Sequence, residues 1–451
     1  MINMMLSEAA VPADARLTGK DVRFNGCSTD SRDISPGQMF IALRGERFDG
    51  HAFINEARKA GACAALVAGD LTPSEFPLLV VDDTRQAMGK LARYWRSEFK
   101  LPLIALTGSN GKTTVKEMLA SILSLQAPVL STRGNLNNDI GVPLTLFQLG
   151  RDHRFAVIEM GANHPGEISW LSGISRPTVA LITQCAPAHL RGFGSIDGVA
   201  RAKAEIFDGL VENGTAIINA DDDYAGFWRE IITTRKQISF GIENKADISA
   251  TDIDFNTDKN SSDFTLHMPG FSGAVSIPMP GLHNVMNALA ATACSIAVGI
   301  EGGDIKKGLE RISPVKGRMQ LKFTSQGARL FDDTYNANPA SLRAGLEVLS
   351  KYQGRRWLVL GDMGELGEAE IELHRQAGEV AREFGIERLY AIGKLSLHTV
   401  KGFGKGALHF SRIEDLIKAL NDDLTAGTTV LVKGSRAMAM ERVVNGITGG
   451  S

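Results

Sequence analysis

The sequence predicts an α/β protein in three parts, with a P-loop-type parallel-sheet domain at its centre and a Rossmann-like domain at its C-terminus. Three observations carry this. At 451 residues the chain is too long for one hydrophobic core and implies roughly three domains of ordinary size. Strand and helix patterns alternate from about residue 99 to 313, as a parallel sheet requires, and the alternation restarts after Arg318. Within the first of these blocks, residues 101–118 place a short apolar run, a glycine turn and an amphipathic helix start in succession.

The part before this stretch, residues 1–98, reads as a small α/β unit. Gln38–Leu43, Ala64–Ala68 and Leu78–Val81 have strand character, and His51–Gly61 and Thr84–Glu98 helix character, the latter with Ala87, Leu91, Ala92 and Trp95 inward. Two polar clusters stand out. Ser28, Thr29, Asp30, Ser31 and Arg32 gather hydroxyls, a carboxylate and a guanidinium suited to a sugar, a base or a phosphate. Arg44–His51, with Phe48 and His51, is a glycine-punctuated turn before a helix. Each reads equally well as a solvated loop or a ligand site.

The central part, 99–313, opens on Leu101–Leu106, whose apolar run suits a buried parallel strand. Gly108, Ser109, Asn110 and Gly111 form the turn, and Lys112 starts a helix with Val115, Met118, Leu119 and Ile122 on one face and Lys116 and Glu117 outside. Strand, glycine turn and helix start point backbone N–H groups at an anion. Gly108 and Gly111 let phosphate oxygens approach, Lys112 supplies a point charge, and Thr113, followed by Thr114, a hydroxyl for Mg²⁺. The turn is two residues shorter than the usual G-x-x-x-x-G-K-[ST].

Beyond it lie an amide-rich loop, Gly134–Pro143, with Asn135, Asn137 and Asn138, and a strand, Phe155–Met160, that carries Glu159 at its end. Thr178–Thr183 is a strand with His189 in the following loop, and Val199–Leu210 a helix carrying Lys203. These groups fall just past the carboxyl ends of strands, where open α/β sheets hold ligands. Residues 246–280 read as an antiparallel excursion, and Pro280–Asn284 opens a small-residue helix that reaches Gly299. In the last part, 314–451, strands at Arg329–Phe331, Arg356–Leu360, Arg388–Ile392 and Thr428–Val432 alternate with helices, including one over 368–385. No G-x-G-x-x-G is present, which disfavours a dehydrogenase.

Composition narrows the function. Hydrophobic content of 43% and charged content of 22% suit a soluble globular enzyme, and a net charge of −2 argues against a nucleic-acid binder. Four scattered cysteines without a CxxC pair make neither a disulfide framework nor a zinc site. The N-terminus lacks signal-peptide features, and no apolar run reaches the ~18 residues that a membrane span needs. A cytoplasmic location is expected. Thr113 and Glu159 offer a hydroxyl and a carboxylate to Mg²⁺, which wants oxygen ligands. Lys203 stays open: a surface lysine in a helix, or a metal ligand if carbamoylated to an oxygen-bearing anion.

Taken together, TGSNGKTT, the Gly134–Pro143 loop, Glu159, His189 with Lys203, PGLHNVMNALAA, Gly317-Arg318 and the Asp333–Pro339 stretch resemble the Mur ligases of bacterial cell-wall synthesis, in the same order along nearly the whole chain. The resemblance implies three domains: an N-terminal one for a UDP-sugar, a central one for ATP and a C-terminal one for the incoming amine. It implies activation of a substrate carboxylate by ATP as an acyl phosphate, which an amine then attacks. By position, Lys112 would hold the β- and γ-phosphates. Thr113 and Glu159 would take one Mg²⁺, and His189 with carbamoylated Lys203 a second. Asn284 and Asn287 would lie by the adenine, and Arg318 and Asp333 would reach the phosphates and ribose from the third domain. The Asp333–Pro339 and Gly361–Gly367 stretches, with no Asp-Asn-Pro-Arg motif, are similar to the branch that adds D-Ala-D-Ala, with Asn336 and Asn338 near the dipeptide. The implied acceptor is a UDP-N-acetylmuramoyl-tripeptide, the enzyme a monomer, with no nucleic acid or membrane as partner. Folylpolyglutamate synthase shares the phosphate loop, but the residues before the loop weigh against it. A P-loop switch would need no third domain.

Overall fold

The computed structural model describes residues 1–45, 48–69, 75–187 and 190–449. The strand Leu103–Thr107 lies inside a six-stranded, fully parallel sheet, between Phe155–Glu159 and Val179–Ile182. Val129–Ser131 forms one edge, and Thr215–Asn219 and Lys236–Phe240 complete the other side. Leu103 and Ala105 point into one buried core and Ile104 and Leu106 into another. A strand covered on both faces has no polar alternation, hence the continuous apolar run. The helix Lys112–Leu123 covers one face with Val115, Met118, Leu119 and Ile122, and the helix Glu167–Ser175 covers the other with Ile168, Leu171 and Ile174. Successive helices on opposite faces open a crevice at the carboxyl end of Leu103–Thr107.

The expected excursion is a three-stranded antiparallel sheet, Ser249–Asn256, Ser261–Met268 and Phe271–Ile277. The helix Leu282–Ala297 follows, and its alanines bring it close against the phosphate-loop helix. The C-terminal sheet has six strands in the order Gln320–Phe323, Arg329–Asp333, Thr428–Lys433, Arg355–Gly361, Arg388–Ile392 and Ala407–Phe410. All are parallel except the first.

The N-terminal sheet has five strands, the edge strand Arg16–Thr18 running antiparallel to Leu78–Val81. From it the helix Thr84–Ser97 runs toward the central sheet, capped by Asp83, which accepts from the Arg85 and Gln86 amides. Its Ala87, Met88, Leu91 and Ala92 enter the same core as Ile168, Leu171 and Ile174. Two expected helices start differently. His51–Gly61 opens as a 3₁₀ turn, Gly50–Phe53, before the α-helix Ile54–Ala60. The helix carrying Lys203 spans Ile196–Ala204, earlier than expected, because Ser195 Oγ accepts from Gly198 N–H at 3.0 Å and caps it. Among the described residues no helix is long and apolar enough to cross a membrane.

Candidate active site

The crevice is built first by the phosphate loop. Gly108 and Gly111 have φ of +146° and +82°, and a Cβ on either would sit 1.9 Å from Thr183 Oγ1 or 2.4 Å from Asn287 Oδ1. Glycine is required twice, for conformation and for space. Thr183 Oγ1 donates to the Asn110 carbonyl at 2.6 Å, and the Ser109 amide and hydroxyl donate to the Gln184 and Ala186 carbonyls, each at 2.9 Å. The loop is thus clamped by the end of the neighbouring strand. Among the described residues no side chain caps the helix Lys112–Leu123, which leaves its first amides at the crevice as donors for an anion. Lys112 Nζ donates to the Gly108 carbonyl at 2.6 Å; burial pushes its pKa down while Glu159 opposes the shift.

Glu159 ends the adjacent strand beside Leu106 and is 2% exposed. Its Oε1 accepts from Asn137 Nδ2 at 2.8 Å, and its Oε2 is buried with no partner among the described residues. An orphaned carboxylate oxygen is costly unless something cationic completes it. With the Thr113 hydroxyl one residue into the helix, the corner fits a Mg²⁺ held by two protein groups and nucleotide phosphates. No cluster of three metal-binding side chains exists among the described residues.

Two lysines correct the sequence reading. Lys116, expected outside, is 2% exposed: the helix turns it toward the strand Val129–Ser131, and its Nζ donates to the Thr132 carbonyl at 2.8 Å and pairs with Glu117 at 2.6 Å. Thr132 Oγ1 in turn accepts from the Glu159 amide at 3.0 Å, so Lys116 steadies the Glu159 corner from behind. Lys203 is no surface lysine. It is 2% exposed, because Phe193 folds over it with a ring centroid 5.6 Å from Nζ. It makes no hydrogen bond among the described residues, and burial, then the charge of Lys112, pushes its pKa down to about 7. His189 lies outside the described residues.

The C-terminal sheet supplies the opposite wall of a cleft of about 200 Å³. Asn110 and Gly111 of the loop, Asn284 and Asn287 of the helix Leu282–Ala297, and Arg318 and Asp333 from the far side all line it. Asn287 Nδ2 donates to Asn284 Oδ1 at 3.3 Å, and Asn284 Nδ2 to the Pro280 carbonyl at 2.8 Å. Arg318 stacks on Tyr335, 4.1 Å from its ring centroid. His283, half-buried beside Asn284 on the helix Leu282–Ala297, also lines the cleft, and desolvation there pushes its pKa down to about 4.

Profiles of known families match all three parts: the Mur ligase middle domain at residues 106–295, the Mur ligase glutamate ligase domain at 317–436 and the Mur ligase family catalytic domain at 23–96. The chain belongs to the Mur ligase family. It is 44% identical over 451 residues to the UDP-N-acetylmuramoyl-tripeptide--D-alanyl-D-alanine ligase of Escherichia coli, covering 99% of both chains. A crystal structure of MurF from Acinetobacter baumannii superposes with a TM-score of 0.94 at 37% identity, covering 100% of this chain and 99% of that one. MurF ligase from Thermotoga maritima, in complex with ADP, gives 0.84 at 28% identity, covering 94% and 97%.

Within this Mur ligase the predicted residues divide. Asn338 stands at the edge of the cleft, capping the helix Pro339–Ser350 through Oδ1, which accepts from Ser341 N–H, while its Nδ2 donates to Asn110 Oδ1 of the cleft lining at 2.8 Å. It bridges the third domain to the phosphate loop. Asn338→Asp should keep the cap and lose that donor, leaving the melting temperature unchanged but lowering kcat/KM at least about fivefold, the worth of one hydrogen bond. Unchanged kcat/KM would remove the bridge from the mechanism. Asn336 is exposed, and its Oδ1 accepts from the Ala337 amide.

None of the N-terminal candidates lines the cleft. Arg32 clasps Asp30 through Nε and Nη2 at 2.9 and 2.7 Å, holding its carboxyl down near about 2. Asp30 N–H donates to Ser28 Oγ, and Thr29 and Ser31 are half-buried beside it. Both ring nitrogens of His51 are engaged, Nδ1 with Asp49 and Nε2 accepting from Ala68 N–H at 2.9 Å, so His51 braces its loop. Phe48 is 56% exposed. Asn135 is exposed, while Asn138 Oδ1 caps the helix Gly141–Leu146 by accepting from Gly141 N–H. The sequence reading missed Thr183, His283 and Lys433. Lys433 had one visible signal, a lysine directly after the apolar run Val430, Leu431 and Val432.

Proposed function

We propose that this Mur ligase joins D-alanyl-D-alanine to a UDP-N-acetylmuramoyl-tripeptide at the expense of ATP, in the cytoplasm and as a monomer. One observation carries the reading: a phosphate loop on one sheet faces Arg318 and Asp333 of another across a single cleft. The end-to-end likeness to ligases bearing that name supports the substrates. Residues 1–98 would hold the UDP-sugar, 99–313 ATP and 314–451 the dipeptide.

The tripeptide's terminal carboxylate attacks the γ-phosphorus, ADP leaves, and an acyl phosphate forms. The dipeptide amine then attacks the acyl carbon, inorganic phosphate leaves, and the amine loses a proton to give the amide. Lys112 and the first amides of the loop helix would hold the β- and γ-phosphates, the positioning and charge neutralisation on which phosphoryl transfer depends. Arg318 would meet the transferring phosphoryl group from the far wall, and Asn284 and Asn287 would face the adenine. Thr113 and Glu159 would hold one Mg²⁺, and His189 with carbamoylated Lys203 another; bound there, the ions would neutralise charge on the phosphates. Closure of the two sheets excludes water from the hydrolysable acyl phosphate.

A panel of amines tests the reading. Mass spectrometry of the product from ATP, UDP-N-acetylmuramoyl-tripeptide and D-Ala-D-Ala should show the tripeptide extended by the dipeptide. Phosphate release driven instead by diaminopimelate or lysine on the shorter dipeptide acceptor would overturn it.

A further inference from the structure

The strand Thr428–Lys433 ends inside the cleft on a lysine whose side chain is 1% exposed. Lys433 Nζ donates to Asp333 Oδ2 at 2.6 Å and to the Asn336 carbonyl at 2.9 Å. The sheet builds this pair: Asp333 and Lys433 stand opposite each other in the parallel register of neighbouring strands. The other carboxylate oxygen, Oδ1, accepts from the Met319 amide at 3.3 Å. Both oxygens are therefore anchored from the protein side, and each keeps a further lone pair for a donor in the cleft. Arg318 lines the same wall, and the neutral His283 lines the cleft from the helix opposite. Burial pushes the Lys433 pKa down, and Asp333 opposes the shift. The second bond of Lys433 holds the loop 334–338, which ends on Asn338 and its contact with Asn110.

We propose that Lys433 is the positioning residue of the nucleotide wall, holding Asp333 fixed in one orientation toward the ribose hydroxyls. The inference rests on the reading that Asp333 faces the ribose. Lys433 touches no substrate in this arrangement; it acts through Asp333.

The test compares ATP with 2′-deoxy-ATP and 3′-deoxy-ATP in steady-state kinetics of the full chain, for the wild type, Asp333→Asn, Lys433→Met and Lys433→Gln. Lys433→Met should raise KM for ATP at least about tenfold with kcat changed by less than about threefold, the mark of lost uniform binding. Its preference for ATP over the deoxynucleotide bound worse by the wild type should fall to near unity, which a general loss of packing would not produce. Lys433→Gln keeps a neutral donor to Asp333 and should retain part of that preference, and it serves where the methionine variant fails to fold. Full preference kept by both Lys433 variants but lost in Asp333→Asn would overturn the proposal alone. A wild type indifferent to both hydroxyls, or full preference kept by Asp333→Asn, would overturn the Asp333 reading and the proposal with it.

Discussion

Lys112→Ala will fold as the wild type does and lose at least about 100-fold in kcat/KM for ATP, roughly 3 kcal/mol of transition-state stabilisation. Stability is spared because, among the described residues, the half-buried ammonium has one hydrogen bond, to the Gly108 carbonyl, and no ion pair. Removing it relieves as much desolvation as it forfeits in bonding. Activity is not spared. Lys112 stands at the start of an uncapped helix, in the electrostatic company of Glu159 and Arg318, where charge on a transferring phosphoryl group must be met. A thermal melt and coupled ADP release check both halves. Activity within tenfold of wild type would sink the phosphate-loop assignment.

Lys203→Ala will be inactive under ordinary assay conditions and partly restored by added short-chain carboxylates. The lysine is buried beneath Phe193, makes no hydrogen bond among the described residues, and titrates near about 7. Its amine is thus substantially neutral at physiological pH, the form that adds to CO₂ to give a carbamate, and burial favours losing the cation. The direction with pH follows: below about 7 the ammonium dominates and cannot react. Wild type stripped of CO₂ should accordingly recover with bicarbonate more fully at pH 8 than at pH 6. A variant with full activity and no additive would show that Lys203 carries no metal function.

The phosphate loop was legible because its chemistry is local. Two glycines, a buried strand and a helix start occupy consecutive positions, and each makes the same demand whatever surrounds it. The far wall is different. Asn338 meets Asn110 across 228 residues, and nothing in the periodicity of either segment announces the other; only the resemblance brought Arg318 and Asp333 to the nucleotide. Buried lysines were least legible. Lys116 was expected outside and Lys203 weighed as surface, while Lys433 stood at a strand end without a role. A lysine at helical or strand spacing carries a long apolar stem that fits either environment. Its burial is decided by groups from other elements, here the Thr132 carbonyl, the Phe193 ring and Asp333.

The two seams between the three parts of the chain differ in kind, and the difference in cost bears on which wall is freer to move. The N-terminal helix Thr84–Ser97 shares one continuous apolar core with the central domain, tightened by Arg96, whose guanidinium donates to the Ser175 and Leu101 carbonyls at 3.1 and 3.2 Å. Separating them would expose aliphatic surface at about 25 cal/mol per Å², too steep a cost to meet once per catalytic cycle. The C-terminal sheet keeps its cores to itself and meets the centre through polar contacts such as Asn338–Asn110 and Tyr352–Asn260. Each such neutral bond contributes roughly 0.5–1.5 kcal/mol net and can be exchanged for water. By this difference in cost, the N-terminal and central parts would serve the proposed cycle as a fixed bench and the C-terminal sheet as its movable jaw. In the proposed cycle the sugar-bearing acceptor stays docked on the bench, while nucleotide and dipeptide enter and leave as the jaw swings.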